Sequence, residues 1–410
     1  MSHASDPASG LLAADRAGPP LTRPLIILFA VAVAVIVTNL FAPQTLVGLI
    51  GPALGLSEAA SGFIAMASLL GYSAGLFLLV PLADLFENRR LILRILLAAV
   101  LAAALAALAP TAGSLLVLLF LLGAACSAIQ MLVPLAAAMA PPERRGQVVG
   151  DVMSGLMAGI LLARPLASLV ADTLGWRAFY GISAMAMGVL AAVLAVRLPE
   201  RWPAGRSRYR LLIQSLGALL LAEPVLRRRA LTACLSMAAF SLFWTAVALR
   251  LAEAPFDLGQ RGIAVFALVG AAGAVVAPLA GRLGDRGLTR AATVLSHIIL
   301  IAAFGLAAWA GTGDHGGPAV MLVLMGASAV LLDVGATADQ TLGRRAVNLL
   351  RPEARGRLNG LFVGLFFLGG AVGSAVAGAA WAFGGWLLIC GLGTALGAAG
   401  LVVDALGGPE

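Results

Sequence analysis

The sequence predicts an all-α membrane protein whose twelve transmembrane helices form two six-helix halves. Three observations predict this fold: a very apolar composition divided into long segments, an uneven distribution of arginines between the loops, and a repeat of loop motifs. Of the 410 residues, 61% are hydrophobic and 11% are charged, whereas an ordinary soluble domain is about 25% charged. The mean hydropathy of +1.01 is too high for a surface that faces water on all sides.

Long apolar segments define the predicted helices. A run of about 18 or more mostly apolar residues is long enough to cross a bilayer as a helix. The short alternating segments of a membrane β-barrel do not occur in this sequence. The predicted spans cover residues 24–50, 58–83, 91–110, 113–140, 147–172, 178–197, 230–250, 262–281, 291–311, 318–340, 357–383 and 386–404.

The spans divide the chain into domains. We expect a polar tail at 1–23, a six-helix bundle at 24–198, a linker at 199–229, a second bundle at 230–404 and a short tail at 405–410. The first apolar segment is far longer than the core of a cleavable signal peptide, so it is expected to be retained as a helix. The linker contains an amphipathic stretch that is expected to lie on the membrane face.

The arginines predict the orientation. All 27 basic residues are arginine; Arg177, Arg250 and Arg261 lie on one side of the predicted membrane, Arg164 lies inside a span, and the remaining 23 lie on the other side. By the positive-inside rule this arginine-rich side is cytoplasmic, which places both termini inside a plasma (cell inner) membrane. Topology thus accounts for the net charge of +8, and no nucleic-acid partner is expected.

The two halves share loop motifs. The stretch PPERRGQVVG from Pro141 matches RPEARGRLNG from Arg351, and Gly159 recurs as Gly369 at the same offset of 210 residues. A second pair, VPLADLFENRR and APLAGRLGDRGLTR, is offset by 197 residues. A parallel repeat of six-helix halves is one architecture of secondary transporters.

The second loop pair resembles the signature of the major facilitator superfamily, roughly G-x-L-A-D-R-x-G-R-R. The matching residues are Leu82, Ala83, Asp84, Arg89 and Arg90 in the first half, and Gly281, Asp285, Arg286 and Arg290 in the second. In the first half Leu85 replaces the first arginine, and the spacing is one residue longer. Within the family, the chain most resembles bacterial twelve-helix efflux permeases of the drug and sugar antiporter type.

This resemblance implies a secondary transporter that moves a small molecule around a central cavity by alternating access, as a monomer without a cofactor or a metal. Proton-coupled efflux by antiport is the expected mode, with proton-coupled uptake by symport as the alternative. The loop residues Asp84, Arg89, Arg90, Gly281, Asp285, Arg286 and Arg290 are then expected to gate the inner face. The family's antiport signature on the fifth helix is incomplete, because no proline follows Gly159 directly.

One charge lies inside a span. Arg164 belongs to the stretch GILLARPLASL, and its guanidinium stays protonated at any ordinary pH. At about 100° per residue, it shares a helix face with Met157 and Ser168, while Gly155 and Gly159 lie on the opposite side, where a second helix can approach closely. Placing the arginine at mid-bilayer costs at least ~2.5–3.5 kcal/mol. We expect it to line the transport path; snorkelling to the outer interface and a fixed structural ion pair are the alternatives.

Other polar residues in the spans are candidates for the cavity that the resemblance implies. These residues, with Arg164 and Ser168, are Asn39, Gln44, Gln130, Phe240, Trp244 and Gln340. Asn39 and Gln130 could instead join helices by hydrogen bonds.

The deepest carboxylate is Asp333, and burial favours the protonated form that a proton carrier needs, so Asp333 is the candidate for proton coupling. The estimated helix centres separate it from Arg164 by ~12 Å in depth. Asp339 is expected nearer the inner surface and solvated.

Other functional classes find less support. The cysteines Cys126, Cys234 and Cys390 lie apart in apolar spans, and we interpret them as small buried hydrophobic residues. The histidines His3, His297 and His315 are scattered, so no metal site and no nucleophile–base pair is expected. A transporter-like membrane sensor is the remote alternative, since the longest polar segment is too short for an added soluble domain.

Overall fold

The computed structural model describes residues 22–203, 208–270, 273, 276–312, 316–351 and 354–407. Most of the predicted N-terminal tail, the last residues of the C-terminal tail, His3, His315, and the repeated pair Pro352 and Glu353 lie outside the described residues. Within the described ranges the chain forms fifteen α-helices and two short 3₁₀ turns, without a strand. The protein is therefore all-helical across this part of the chain, as predicted.

The helices follow the predicted spans. They are α1 (Arg23–Ala53), α2 (Glu58–Ser61), α3 (Phe63–Leu78), α4 (Asn88–Ala107), α5 (Ala112–Cys126), α6 (Ile129–Met139), α7 (Arg145–Leu174), α8 (Trp176–Arg197), α9 (Tyr209–Ala222), α10 (Pro224–Ala252), α11 (Gln260–Gly270), α12 (Val276–Asp285), α13 (Thr289–Gly311), α14 (Pro318–Leu350) and α15 (Arg355–Leu406).

Helix breaks explain how these elements correspond to twelve spans. Ten helical stretches of the described chain are long and apolar enough to cross a membrane. The longest, α15, holds two predicted spans joined at Gly385, whose φ of 58° and ψ of −152° are non-helical. The eighth predicted span is divided between α11 and α12. The fold is thus the predicted multi-pass membrane protein of two six-helix halves.

Glycines bring the inner helices of each half together. Gly155 and Gly159 of α7 pack on the backbone of Ala30 and Ala34 of α1. In the second half, Gly369 and Gly373 of α15 pack in the same way on Cys234 and Ala238 of α10. Both pairs are spaced by four residues, the spacing that lets two helix backbones approach closely in a membrane. The predicted packing face of α7 is confirmed, and the second half repeats it.

The two halves meet closely at the end away from the arginine-rich side. There Gly62 packs on the backbone of Ser374 and Gly378, and Arg261 Nε pairs with Asp172 Oδ2 at 2.6 Å. At the arginine-rich end, a cavity of about 560 Å³ separates parts of the two halves. The structure is therefore closely packed at one end and contains a cavity at the other.

The linker helix α9 covers the arginine-rich end. Its Leu216 and Leu219 are buried, and the Tyr209 hydroxyl donates a hydrogen bond to the Leu78 carbonyl at 3.0 Å. Leu212 and Leu216 also line the cavity. The amphipathic stretch is thus a helix whose apolar side packs on protein; its contact with the membrane face remains a prediction.

Changing Gly159 to alanine tests the glycine contact between α1 and α7. A Cβ at this position would lie 2.6 Å from both Ala34 Cα and Val37 Cγ1, so one helix must shift. Overpacking of this kind costs ~1–3 kcal/mol, and we expect a lower melting temperature of the detergent-solubilised protein. Gly150→Ala is the matched control, because a Cβ there meets no atom within 4 Å. Equal melting temperatures for the two variants would contradict the packing argument.

Candidate functional site

A buried cation lies between the two halves. Arg164 is 5% exposed, and its Nε donates a hydrogen bond to Gln44 Oε1 at 3.0 Å. Its Cζ lies 5.3 Å from the ring centroid of Phe41, 5.1 Å from Phe240 and 4.3 Å from Trp244. Since α1 supplies Phe41 and Gln44 while α10 supplies Phe240 and Trp244, both halves enclose the guanidinium.

These contacts explain how the interior tolerates the charge. A guanidinium over an aromatic face gains ~0.5–1 kcal/mol, and ~2 kcal/mol or more where water is excluded. Three such faces and one amide acceptor offset much of the insertion cost of the arginine. Arg164 therefore lies in the protein interior, and snorkelling to the outer interface does not occur in this structure.

Trp244 connects Arg164 to the candidate proton carrier. The indole Nε1 donates a hydrogen bond to Asp333 Oδ1 at 2.9 Å, while the ring face lies against the guanidinium. Gly270 leaves room for this arrangement, since a Cβ there would lie 2.7 Å from Trp244 Cη2. Gly273 packs on Asp333 in the same way. One indole thus separates the buried cation from a half-buried carboxylate.

Arg164 and Asp333 thus meet on opposite sides of one indole, although their helix positions are expected to differ by ~12 Å in depth. The estimate assumed that the tenth span ends at residue 340, but α14 continues to Leu350. Asp333 consequently lies next to the midpoint of the helix and not towards its inner end. The two charges share the indole of Trp244, and no direct ion pair between them is among the described contacts.

Three buried hydrogen-bond donors at the site are unpartnered within the described chain. They are the Nη2 of Arg164, the Nε2 of Gln44 and the hydroxyl of Ser168. Gln44 bonds to Arg164 through its oxygen, and Ser168 lies one turn further along α7. A buried donor without an acceptor costs ~1–3 kcal/mol. The site therefore suits a ligand that carries acceptor oxygens and negative charge.

An aromatic layer separates this site from the cavity. Gln130 lines the cavity, and its Nε2 donates to the Tyr72 hydroxyl at 3.2 Å. The Tyr72 ring packs edge-on against the Phe367 ring, with 4.6 Å between the ring centroids. The centroids of Phe367 and Phe41 are 6.2 Å apart. Because Phe41 also covers Arg164, these rings lie between the guanidinium and the cavity.

Comparison with known proteins agrees with this architecture. The sequence model of the Major Facilitator Superfamily matches residues 25–345. The chain belongs to the major facilitator superfamily. It is 35% identical to the "Uncharacterized transporter YgaY" of Escherichia coli O157:H7 over 388 residues, which are 93% of this chain and 95% of the relative. It is also 35% identical to the "Probable transporter SCO4007" of Streptomyces coelicolor over 372 residues, 88% of this chain and 83% of that protein.

A solved structure shows the same fold. The crystal structure of a mutant of the nucleoside transporter NupG superposes with a TM-score of 0.71 at 17% identity, and the match covers 92% of this chain and 99% of that one. At this identity the likeness concerns the fold. Family and relatives together identify the protein as a transporter of the major facilitator type.

Two of the predicted cavity residues lie elsewhere in this transporter. The Asn39 amide accepts a hydrogen bond from the Ser183 hydroxyl at 2.8 Å and lies 3.8 Å from Met187 Sδ, so it joins α1 to α8. Gln340 is half-buried on α14, with no hydrogen bond among the described contacts. Gln44, Phe240 and Trp244 are the predicted residues that contact Arg164, Asp333 is joined to them through Trp244, and Ser168 lies one turn further along α7.

The first signature loop is organised by an acid that the sequence did not single out. Glu87 is buried and accepts the backbone N–H groups of Arg89 at 2.7 Å and Arg90 at 2.8 Å. The Arg89 side chain bonds to the Ala195 carbonyl within the same half. Asp84, in contrast, lines the cavity together with Arg357 of the second half, whose positive charge attracts it.

The second signature loop makes its contact within its own half. Asp285 Oδ1 pairs with Arg345 Nε at 2.9 Å, and Arg290 reaches the Ala405 carbonyl at 3.4 Å. Arg286 is exposed. A Cβ at Gly281 would meet no atom within 4 Å. Among the contacts of the described chain, the first loop therefore places Asp84 opposite Arg357 of the other half. The second loop instead pairs Asp285 with Arg345 of its own half.

Two expectations about charged side chains were wrong. Asp339 is not solvated but 0% exposed, and His297 is not isolated, because it lies within reach of Asp339 and Asp404. These residues are far apart in the sequence, so spacing alone could not associate them. The available signal was the rarity of ionisable residues inside apolar spans.

Labelling of a cysteine at position 164 tests the aromatic layer. In a background in which Cys126, Cys234 and Cys390 are replaced by alanine, we expect Arg164→Cys to react slowly with a water-soluble thiol reagent, because the rings cover it. Adding Phe367→Ala should raise the rate at least several-fold by joining the site to the cavity. The control Phe383→Ala lies on the same helix, is 84% exposed, and should leave the rate unchanged. Equal rates in the presence and absence of Phe367 would contradict the layer.

Proposed function

We propose that this transporter carries a small organic anion together with a proton, and that Arg164 binds the anion. The observation that carries the proposal is the buried guanidinium with an Nη2 that is unpartnered in the described chain, next to the similarly unpartnered donors of Gln44 and Ser168. A guanidinium pairs well with carboxylate, phosphate or sulfonate oxygens because its N–H groups form a planar fork. The surrounding aromatic faces suit an apolar body on the same molecule.

Asp333 is the proposed proton site. While Asp333 is ionised, its charge balances that of Arg164 across the Trp244 ring, and an added anion would meet a neighbouring negative charge. Protonation of Asp333 leaves the guanidinium without this balance, so an anion then binds more tightly. Such linkage is reciprocal: bound anion favours the bound proton to the same extent.

This linkage favours symport, which was the alternative to the antiport that the family branch implies. In antiport, proton and substrate would exclude each other at a shared group. A cationic substrate competing for Asp333 would satisfy that condition, but it would lie beside the resident cation of Arg164. We therefore favour proton and anion moving together, with the ion gradients deciding the direction of net transport.

The proposed orientation follows the arginines. We place the arginine-rich side in the cytoplasm, by the positive-inside rule, and the protein as a monomer in the plasma (cell inner) membrane. The cavity that contains Asp84, Gln130 and Arg357 would then open to the cytoplasm. Alternating access would close this cavity and separate the contact between Gly62 and Gly378 at the other end.

Proton movement driven by an anion gradient tests the coupling. Purified protein in vesicles with a trapped pH indicator is given small carboxylates and organic phosphates from outside, with neutral and cationic compounds as comparisons. Symport predicts that an accepted anion acidifies the vesicle interior, and antiport predicts the opposite sign. Asp333→Asn should abolish the pH change while retaining exchange of labelled anion across equal pH. Asp257→Asn, an exposed loop control, should retain both; an undiminished pH change in Asp333→Asn would remove Asp333 from the mechanism.

A charge exchange tests whether Asp84 gates the cavity. Asp84→Arg places like charges opposite each other at the cavity wall, so we expect slow turnover with anion affinity changed by no more than a few fold. The double variant Asp84→Arg with Arg357→Asp should recover part of the turnover, because it restores the attraction. Failure of the double variant to exceed the single variant would mean that the two residues do not act as a pair.

A further inference from the structure

Four charged or titratable side chains form a second buried cluster in the C-terminal half. Arg229 of α10, His297 of α13, Asp339 of α14 and Asp404 of α15 are all between 0 and 3% exposed. The cluster lies towards the arginine-rich side and does not include the residues around Arg164. Along α14, Asp339 is six residues from Asp333, or ~9 Å along the helix axis. The substrate site does not explain why these four groups are buried.

The contacts of the cluster are specific. Arg229 Nη1 lies 3.0 Å from Asp404 Oδ1 and 3.1 Å from the Thr293 hydroxyl. His297 Nδ1 lies 2.9 Å from the Thr293 carbonyl oxygen and 3.2 Å from Asp404 Oδ2. On the other side of the ring, Nε2 lies 4.0 Å from Asp339 Oδ1. The imidazole is therefore placed between two carboxylates.

The geometry determines which ring nitrogen can change its protonation state. A carbonyl oxygen only accepts hydrogen bonds, so Nδ1 of His297 must carry a hydrogen. Nε2 faces Asp339, and neither His297 Nε2 nor Asp339 Oδ1 has a hydrogen-bond partner in the described part of the chain. The other oxygen of Asp339 accepts from the Ser236 hydroxyl at 2.9 Å. Nε2 is thus the position where one further proton can reside.

Charge balance decides whether that proton is present. Among the described contacts, the charged or titratable groups of the cluster that surround the imidazole are Arg229 from α10, Asp339 from α14 and Asp404 from α15, while α13 supplies the oxygens of Thr293. With a neutral imidazole and both acids ionised, Arg229 balances one acid and the other remains an unpaired buried anion, which is strongly destabilising. With an imidazolium, two cations face two anions. We propose that this cluster is a proton-binding site in which His297 holds the proton between Asp339 and Asp404.

A metal ion fits the cluster less well than a proton. Nδ1 is engaged with the Thr293 carbonyl, and the Arg229 guanidinium occupies Asp404 Oδ1 and would repel a cation. Nε2 of His297 and Oδ1 of Asp339 remain as ligands on the open side, 4.0 Å apart, while the unpartnered Oδ2 of Asp404 lies beside Nδ1, on the other edge of the ring. A structural zinc site needs four ligands and a catalytic one three, so two ligands beside an arginine are too few.

The site connects the same pair of helices as the substrate site. Ser236 joins α10 to Asp339 of α14, and Trp244 joins α10 to Asp333 of α14. Release of the proton would leave Asp339 unbalanced and weaken the packing of α14 against α10 and α13. This assignment goes beyond the proposed function, because it requires neither an anionic substrate nor a role for Asp333.

Nitrogen NMR of the single imidazole tests the proposal. The background His3→Gln with His315→Gln leaves His297 alone, so ¹⁵N-histidine labelling reports its state directly. An ordinary histidine titrates near pH ~6.5 and is mostly neutral at pH ~7.5. We expect the folded background protein to show both ring nitrogens protonated at that pH, and the same sample after denaturation to show a neutral ring. Asp339→Asn should convert the folded protein to a neutral ring protonated at Nδ1, whereas Asp333→Asn, on the same helix, should leave the imidazolium unchanged.

Three results would overturn the proposal. A neutral ring in the folded background protein would do so without any cluster variant, so the test does not depend on Asp339→Asn folding. An imidazolium that persists in a folded Asp339→Asn protein would remove the carboxylate from the site. One equivalent of zinc or another metal in the purified protein, with ring signals that shift on chelation, would identify a metal site. Because no transport is measured, failure of the Asp333 coupling test would leave this result standing.

Discussion

The burial of one guanidinium between the two halves constrains the centre of this transporter. Arg164 cannot lose its charge, so the protein must surround it with groups that compensate it. α1 provides an amide oxygen and one aromatic ring, and α10 provides two more rings. Both halves thus supply groups that stabilise the charge of Arg164. The contact between the halves at this site therefore depends on which charges and ligands surround the guanidinium. The proposed anion, or the proposed protonation of Asp333, would alter that state directly.

The repeat makes the asymmetry of this arrangement visible. The offset of 210 residues that relates Gly159 to Gly369 also relates Arg164 to Ser374. Both positions are buried and contact the opposite half: Arg164 contacts Phe240 and Trp244, and the Ser374 backbone contacts Gly62. Ser374 also accepts a hydrogen bond from the Thr245 hydroxyl at 3.2 Å. The backbone scaffold is thus repeated, whereas the charge is not. The N-terminal half supplies the central cation Arg164, and the C-terminal half supplies the acids Asp333 and Asp339.

Helix α14 brings those acids into one element. Asp333 faces the indole of Trp244, and Asp339 faces Ser236 and His297. Both hydrogen bonds run between α14 and α10, so under both proposals a change of protonation at either site would change the same helix contact. In a low-dielectric interior an unbalanced charge is costly, which would couple the proposed protonation to helix packing.

The sequence by itself determined the fold class, the spans and the small-residue face of α7. Hydropathy and the arginine distribution depend on each residue's transfer between water and lipid, a local property that can be read without neighbours. It also identified Arg164, Gln44, Ser168, Trp244 and Asp333 as unusual, since polar groups are rare within spans.

Only the tertiary structure decided which of these polar groups meet. It showed that Asn39 joins two helices, that Trp244 lies between Arg164 and Asp333, and that Asp339 is buried with His297 and Asp404. The tenth helix continues to Leu350, past its predicted span 318–340, because hydropathy does not report where a helix ends. Contacts between residues more than forty positions apart depend on helix rotation and tilt, which packing of the complete bundle sets.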